Sequence, residues 1–126
     1  MAKKILFYEE DFTREEVIPE GKFLPEIQFT YKPLTAWQAA QFTQKVVAAK
    51  TLEAALAAHI ELISKHVVSW NLTKSDDSPI LPSDVNTLYK VDAYVINKIA
   101  ATIKERAGDL LTEDELKNLS TGLSSI

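Results

Sequence analysis

His59 and His66 are the only residues, besides carboxylates, whose side chains favour metal binding in this sequence. On one helix their seven-residue spacing places them on the same side but about 10 Å apart along the axis. Two ligands of one zinc ion must each bring a nitrogen within about 2.1 Å of the metal. That separation argues against a shared metal ion, and we interpret both histidines as residues packed at the edge of a core.

Other catalytic and binding motifs require residues that the sequence lacks or spaces differently. Its three glycines are Gly21, Gly108 and Gly122. They are too dispersed for a dinucleotide fingerprint or a phosphate-binding loop, and no Gly-x-Ser-x-Gly elbow or cysteine nucleophile is present. The run Asp76-Asp77-Ser78 lacks the glycine and the terminal glutamate of an EF-hand loop. We therefore predict no catalytic residue, no cofactor, no metal site and no enzyme activity.

Composition predicts a folded domain that avoids nucleic acids and membranes. The 126 residues suit a single domain, and 46% hydrophobic with 25% charged residues is an ordinary globular balance. The net charge is −4, and the lysines and the two arginines are scattered, whereas nucleic-acid binding requires clustered positive charge. No apolar stretch approaches the roughly 20 residues of a membrane span. The short apolar run Ile5–Tyr8 is followed by acids, so we expect a cytoplasmic protein without a secretion signal.

Residues 1–34 have the pattern of β structure. Side chains of one parity are apolar across this segment, namely Phe23, Ile27, Phe29 and Tyr31. Such alternation predicts a half-buried strand. Ile5–Tyr8 is a candidate second strand that pairs with it across the acidic stretch between them. Because an isolated hairpin is marginally stable, the pair must pack on the helices that follow.

Three helical regions are predicted after residue 34. Thr35 and Gln38 form a capping-box pattern, which predicts a helix from about Ala36 to Ala49. Thr51 is a candidate cap for a second helix, from about Leu52 to Ser69. Its apolar residues follow steps of three and four and predict one core-facing stripe: Leu52, Leu56, Ile60, Ile63, Val67 and Trp70.

The third region extends from Ser83 to about Ala107, and Asp92 is placed to cap a separate second helix within it. Its stripe consists of Leu88, Val95, Ile99 and Ile103, with Val91 and Ile96 at the edges. A capping box at Thr112–Glu115 predicts a short last helix to about Leu119. The expected fold is therefore mainly α: a compact bundle of three to five helices with a small N-terminal β-hairpin or strand packed on it. The expected division is a single domain over 1–126, with a β-like segment 1–34, a helical core 35–119 and a flexible tail 120–126.

The first predicted helix carries the candidate partner-binding residues. Trp37 lies among Gln41, Gln44 and Lys45 on an otherwise polar stripe. Either the N-terminal strand covers Trp37 with Phe29 or Tyr31, or Trp37 is an exposed anchor for another protein, a role in which tryptophan is enriched. The apolar arc of this helix is wider than one core-facing side needs. Part of the arc either binds a client helix or a second copy of this chain, or is buried between the hairpin and the other helices. The candidate partner-binding residues are Trp37, Gln41, Phe42 and Val46.

One motif, His66-Val67-Val68-Ser69-Trp70-Asn71-Leu72, is followed by a loop with Pro79 and Pro82 and then by an amphipathic helix. This arrangement resembles the tail assembly chaperones of long-tailed bacteriophages and prophages. The resemblance covers about residues 23–103. It implies a helper in the host bacterial cytoplasm that binds the tape-measure protein, and also contacts the tail-tube protein, during tail assembly. Trp70, Asn71 and Leu72 match the motif and are assigned a structural role, with Trp70 closing the helix end and Asn71 bonding to nearby backbone.

Two other classes of function fit the same sequence. A structural virion subunit, such as a head–tail connector or tail component, would form a homo-oligomer through the hairpin edges and the acidic face. A small regulatory module would instead bind one defined cellular protein. The presence of the chain in purified particles would identify the virion subunit, and a tape-measure gene nearby would favour the chaperone.

Overall fold

The computed structural model describes residues 11–108. In chain order its elements are β1 (Arg14–Ile18), β2 (Ile27–Tyr31), α1 (Ala36–Ala48), α2 (Leu52–His66), β3 (Val67–Trp70), α3 (Val85–Leu88) and α4 (Ala93–Gly108). The predicted strand Ile5–Tyr8, the capping box at Thr112–Glu115 and the tail 120–126 lie outside the described residues. Within 11–108, no helix has the length and apolar character needed to cross a membrane.

The three strands form one antiparallel sheet in the order β1-β2-β3. Alternating side chains point to opposite faces. The inner face is buried in the core and contributes Ile18, Ile27, Phe29, Tyr31 and Val67. Val17, Gln28 and Ser69 are exposed on the outer face. The alternation predicted for β2 is confirmed, and one side of the sheet is covered.

The acidic stretch was predicted to connect two paired strands, and this prediction is wrong from Arg14 onwards. Arg14–Ile18 is an edge strand that pairs with β2, and the turn lies at residues 19–26 instead. Within that turn the Gly21 N–H donates to the Leu24 carbonyl over 2.8 Å. Leu24 is consequently buried, whereas Phe23, predicted to share the buried parity, is exposed.

The prediction of a mainly α-helical bundle is wrong, because the helices share the core with a three-stranded sheet. Residues 67–69, predicted as the end of the second helix, form β3 together with Trp70 on the edge of β2. The pairing shifts register between Thr30 and Tyr31, so Tyr31 faces Val67 while Phe29 faces Trp70. An extra residue in a strand is a β-bulge. Because of the bulge, Val67 and Trp70 lie on the same face of the sheet although they are three residues apart. Three residues is also the spacing of neighbours on one side of a helix.

Within residues 11–108 the helix starts predicted at Thr35, Thr51 and Asp92 are confirmed, whereas the third helical region begins at Val85 after the cap Asp84 and not at Ser83. In the capping box of α1, the Gln38 N–H donates to Thr35 Oγ1 over 3.2 Å, and the Thr35 N–H donates to Gln38 Oε1 over 3.0 Å. Thr51 caps α2 by accepting from the Ala54 N–H over 3.0 Å. Asp92 separates α3 from α4, as predicted, and its carboxylate accepts from the Tyr94 N–H over 2.8 Å.

The helices pack around α2, which contacts α1, α3 and α4 and leads directly into β3. Ile60, Ile63, Ile99 and Ile103 are buried in one cluster with the inner face of the sheet. Leu52, the first residue of the predicted α2 stripe, is instead 91% exposed. The core-facing stripe of α2 therefore begins one turn later than the sequence pattern indicated.

An ion pair links the last turn of α4 to the sheet. Glu16 is on the inner face of β1, opposite Phe29. Its carboxylate accepts from Arg106 Nη2 over 2.8 Å and from Arg106 Nε over 3.3 Å. An inward-pointing charge on an edge strand also disfavours pairing with another chain.

Truncating the core at Ile99 should lower the free energy of unfolding by about 2–5 kcal/mol, because Ile99→Ala leaves a cavity at a fully buried position. Val47→Ala is the control, since Val47 is 79% exposed on α1 and its truncation should change stability by less than about 0.5 kcal/mol. Urea unfolding followed by circular dichroism measures both values. Equal losses in the two variants would contradict this account of the core.

Candidate functional site

The outer face of α1 presents three apolar side chains and one glutamine to solvent. Trp37, Ala40, Gln44 and Val47 are exposed and spaced by three, four and three residues, which places them within about 80° of the helix circumference. Trp37 is 72% exposed and Val47 is 79% exposed. We call these four residues the α1 outer face. A regular stripe of this kind is typical of a helix side that packs against another element.

The structure separates the four candidate partner-binding residues. Trp37 and Gln41 are exposed, Val46 is partly buried against the core, and Phe42 is buried. Phe42 packs edge-on against His59, with 5.4 Å between the ring centroids. Trp37 and Gln41 are therefore accessible to a partner, while Phe42 anchors α1 to α2.

The interpretation in which Phe29 or Tyr31 covers Trp37 does not hold. Both rings are buried on the inner face of β2, where their centroids are 5.5 Å apart. Trp37 remains largely exposed among residues 11–108. Of the two interpretations of Trp37, the structure is consistent with the exposed anchor.

A groove separates α1 from α2 on the other side of Trp37 from Ala40 and Val47, and we call it the α1–α2 groove. Its cavity volume is about 130 Å³, and the polar and apolar residues that line it are Gln38, Gln41, Phe42, Lys45, Ala58, Glu61, Leu62, Lys65 and His66. Ligand pockets for small molecules typically measure roughly 300–1,000 Å³. This groove is therefore large enough for a side chain of a partner but small for a cofactor.

Charged residues form the rim of the α1–α2 groove. Lys45 Nζ lies 2.6 Å from Glu61 Oε1, and Lys65 Nζ lies 2.9 Å from the same oxygen. The hydrogen bond from Lys45 has the largest effect on the Glu61 carboxyl, followed by the one from Lys65, and both lower its pKa below the ordinary value. Glu61 is therefore ionised at neutral pH and holds two cations on one oxygen.

His66 lies at the inner end of this groove and is buried. Its Nδ1 lies 2.9 Å from the Lys32 carbonyl oxygen. A carbonyl only accepts, so we assign the proton to Nδ1, which leaves Nε2 as a hydrogen-bond acceptor. Burial lowers the pKa of His66. The bond to the Lys32 carbonyl raises this pKa, the charges of Lys32 and Lys65 lower it, and the net shift is downward. His66 is therefore neutral at pH 7.

His59 belongs to the core side of the same helix. Its Nδ1 lies 2.6 Å from the Ala55 carbonyl, one turn earlier. Across residues 11–108 no three His, Cys, Asp or Glu side chains are grouped so as to hold a metal ion. Asp76 instead accepts from the N–H and the hydroxyl of Ser78, over 3.0 and 2.5 Å, and so closes a turn.

The motif residues Trp70, Asn71 and Leu72 connect the end of the sheet to the following loop. Trp70 ends β3, and its indole N–H donates to the Ile80 carbonyl over 2.6 Å. The Leu72 carbonyl accepts from the Ile80 N–H over 3.1 Å. Trp70 therefore closes the end of a strand and the loop after it, and not the end of a helix as the sequence had indicated.

Asn71 joins the loop after β3 to the start of β2. Its Oδ1 accepts from the Gln28 N–H over 3.1 Å, and its Nδ2 donates to the Glu26 carbonyl over 3.0 Å. The Asn71 N–H also donates to the Gln28 carbonyl over 3.1 Å. The side chain thus continues the β2–β3 pairing past the last residue of β3.

Two other depressions lie on the described surface. One is a mostly aliphatic groove between the loop after β3 and the α3–α4 segment, and it includes Leu72, Ile80, Val91 and Val95. The other lies over the sheet near Glu15, Glu16 and Asn71. The depression over the sheet also combines acids with aromatic rings, but Phe29 is buried and Trp70 is partly buried. The α1 outer face with the α1–α2 groove is the candidate binding site because it combines the largely exposed Trp37 with a basic rim.

Sequence reasoning missed the charged part of this site. Glu61 and Lys65 are four residues apart on one helix, a spacing that predicts an ion pair. Lys45 joins them only because α1 packs on α2. That contact has no signal in a single sequence.

Asn71→Ala should lower the free energy of unfolding by about 1–2 kcal/mol, because it removes two side-chain bonds to the backbone of another segment. Asn97→Ala, at an exposed position of α4, is the control and should change stability by less than about 0.5 kcal/mol. Urea unfolding measures both. A loss for Asn71→Ala no larger than that of the control would refute the role assigned to its side chain.

His66 should make stability depend on pH below its ordinary pKa of 6.5. Its pKa is lower in the folded chain, so the unfolded chain binds more protons in this window and the free energy of unfolding falls as pH decreases. His66→Gln keeps an N–H donor for the Lys32 carbonyl but does not titrate. Urea unfolding at several values between about pH 7.5 and 5.5 should show a smaller pH dependence in this variant than in the wild type. Identical slopes would rule out the assigned neutral state.

We also compared the chain with known proteins. A scan of protein-family models, a search of curated proteins and a search of solved structures each found no match.

Proposed function

We propose that this chain is a phage or prophage tail assembly chaperone that binds a segment of the tape-measure protein on the α1 outer face, in the cytoplasm of the bacterial host. The observation that carries the proposal is the 72% exposure of Trp37 in the first turn of a capped helix. The resemblance of residues 66–72 to tail assembly chaperones supplies the identity of the client. The chaperone keeps the client soluble until tail-tube subunits assemble around it.

The local structure makes Trp37 suitable for binding a helical client. It lies in the first turn of α1, which the capping box of Thr35 and Gln38 holds in place. Phe42 fixes the same helix from the buried side. Trp37 is therefore presented on a rigid support, so little backbone entropy is lost when a partner covers it. Tryptophan is enriched among the residues that dominate interface energy.

An apolar stripe also matches the kind of client proposed. Long helical proteins expose amphipathic segments before assembly, and such segments bind by placing their apolar side on an apolar surface. Ala40 lies one turn from Trp37 and extends this apolar surface. Capture of such a segment hides apolar area on both chains from water and from other copies of the client.

A structural virion subunit is the alternative, and β1 is the observation that favours it. β1 is an edge strand, and its outer side pairs with no strand among residues 11–108. An open edge can pair with a second copy. Arg14, Glu15 and the inward-pointing Glu16 oppose such pairing, so we place the chaperone first. Mass spectra of purified particles distinguish the two, since a virion subunit is retained there and a chaperone is absent.

Co-expression with a candidate tape-measure protein from the same genome tests the chaperone. The wild-type chain should raise the soluble fraction of this client, and Trp37→Ala should weaken binding by about ten-fold or more, as expected for loss of a central aromatic anchor. Pull-down and calorimetric titration measure the interaction.

Tyr94→Ala is the matched control, because Tyr94 is an exposed aromatic residue on α4. It should bind the client like the wild type, and circular dichroism should show that both variants are folded. Unchanged solubility of the client in the presence of the wild-type chain would refute the proposed function. Equal binding by Trp37→Ala and the wild type would refute the site.

A further inference from the structure

The α1–α2 groove is basic although the whole chain carries a net charge of −4. Among the residues that line it, Lys45 and Lys65 are cations and Glu61 is the one carboxylate. Lys32 adds a third positive charge next to His66 at the inner end. The groove residues therefore have a charge of +1, and the site including Lys32 has a charge of +2, with His66 neutral.

The lysines of the rim are available to a second carboxylate. Lys45 and Lys65 have side chains 52% and 66% exposed, and both contact the single oxygen Oε1 of Glu61. An ammonium group has three donors, and the bond to Glu61 uses one of them on each lysine. Because Glu61 is a single acid, each lysine keeps unused N–H donors, and a net positive charge faces solvent.

The basic rim has a fixed position relative to Trp37. Trp37, Gln41 and Lys45 follow one another at intervals of four residues on α1, so they form a ridge along the helix. Eight residues correspond to about 12 Å of helix, or about two turns. This ridge is inclined to the helix axis, so a partner helix that crosses α1 along it and covers Trp37 with an apolar residue would bring a residue about two turns away to Lys45 and Lys65.

We propose that the segment bound here is an amphipathic helix with an apolar residue for Trp37 and, about seven or eight residues from it, an Asp or Glu whose carboxylate bonds Lys45 and Lys65. The inference rests on the proposed function, since it specifies the client segment. The groove has a volume of about 130 Å³, which admits one side chain and is below the range of small-molecule pockets. Charge complementarity of this kind sets the orientation of a partner and the rate of encounter.

Three synthetic helical peptides test the inference on the full-length chain. They share one apolar stripe and differ only at the position eight residues from its central apolar residue, which is Glu, Gln or Lys. Fluorescence anisotropy at low salt should give the tightest binding for the Glu peptide, about five-fold tighter than for the Gln peptide, and the weakest for the Lys peptide. The differences should shrink as NaCl is raised towards 1 M. Equal affinities of the three peptides at low salt would overturn the inference.

Variants of the rim show where the preference originates. Lys45→Gln with Lys65→Gln should remove the preference for the Glu peptide over the Gln peptide. Lys98→Gln with Lys104→Gln on α4 is the control, because it changes the net charge by the same amount on a helix outside the groove. The control should keep the full preference. Loss of the preference in both double variants would show a general charge effect and overturn the assigned groove.

The tape-measure protein separates failure of this inference from failure of the proposed function. If the wild-type chain and the Lys45/Lys65 double variant bind and solubilise it equally well, the chaperone stands and the acidic client segment is wrong. If the wild-type chain leaves it insoluble while the peptides are still ranked by charge, the binding chemistry stands and the identity of the client is wrong. Trp37→Ala should weaken binding of all three peptides, because they share the apolar residue that covers it.

Discussion

A reciprocal pair of hydrogen bonds between Lys32 and His66 holds the sheet and the helices in one arrangement. The Lys32 N–H donates to the His66 carbonyl over 2.7 Å, and His66 Nδ1 donates to the Lys32 carbonyl over 2.9 Å. This contact lies where β2 ends and where α2 passes into β3 without a connecting loop. It therefore fixes the direction of α2 relative to the sheet. Because α1 and α4 both pack on α2, the position of the α1–α2 groove and of Trp37 follows from it. A histidine that is neutral and buried suits this role, since its ring satisfies a backbone carbonyl at little electrostatic cost.

The elements that depend on neighbouring residues in the chain were predictable, and those that depend on distant contacts were not. Thr35, Thr51 and Asp92 each cap a helix through bonds to residues two or three positions away, so their signals are contained in short stretches of sequence. β3 forms because β2 offers a free edge. The bulge opposite Tyr31 places Val67 and Trp70 on one face of the sheet although their spacing is that of a helical stripe. Periodicity alone cannot distinguish these cases. The sheet content was underestimated for this physical reason.

The candidate site shows the same division. The exposure of Trp37 was one of two interpretations available from its place on the helical wheel, and the choice required knowing that Phe29 and Tyr31 are occupied on the inner face of the sheet. Of the basic rim, Glu61 and Lys65 could be paired from their spacing. The contribution of Lys45 required the packing of α1 on α2. In the loop after β3, the sequence indicated that Asn71 bonds to backbone, but the partners are 43 and 45 residues away in the chain.

An exposed tryptophan on a helix surface requires some protection against self-association. Negative net charge opposes contact between copies, and here the acidic side chains Glu15 and Glu16 are on β1, away from the basic rim on α1 and α2. In a symmetric contact, residue i of one copy meets residue j of the other, and the reverse. A dimer centred on Trp37 would therefore hold the two Lys45 side chains about two turns to either side of the axis, and not against each other. Net negative charge is the term that opposes such a dimer, whereas the basic rim acts on the choice of partner, because it favours a helix with a carboxylate at that position.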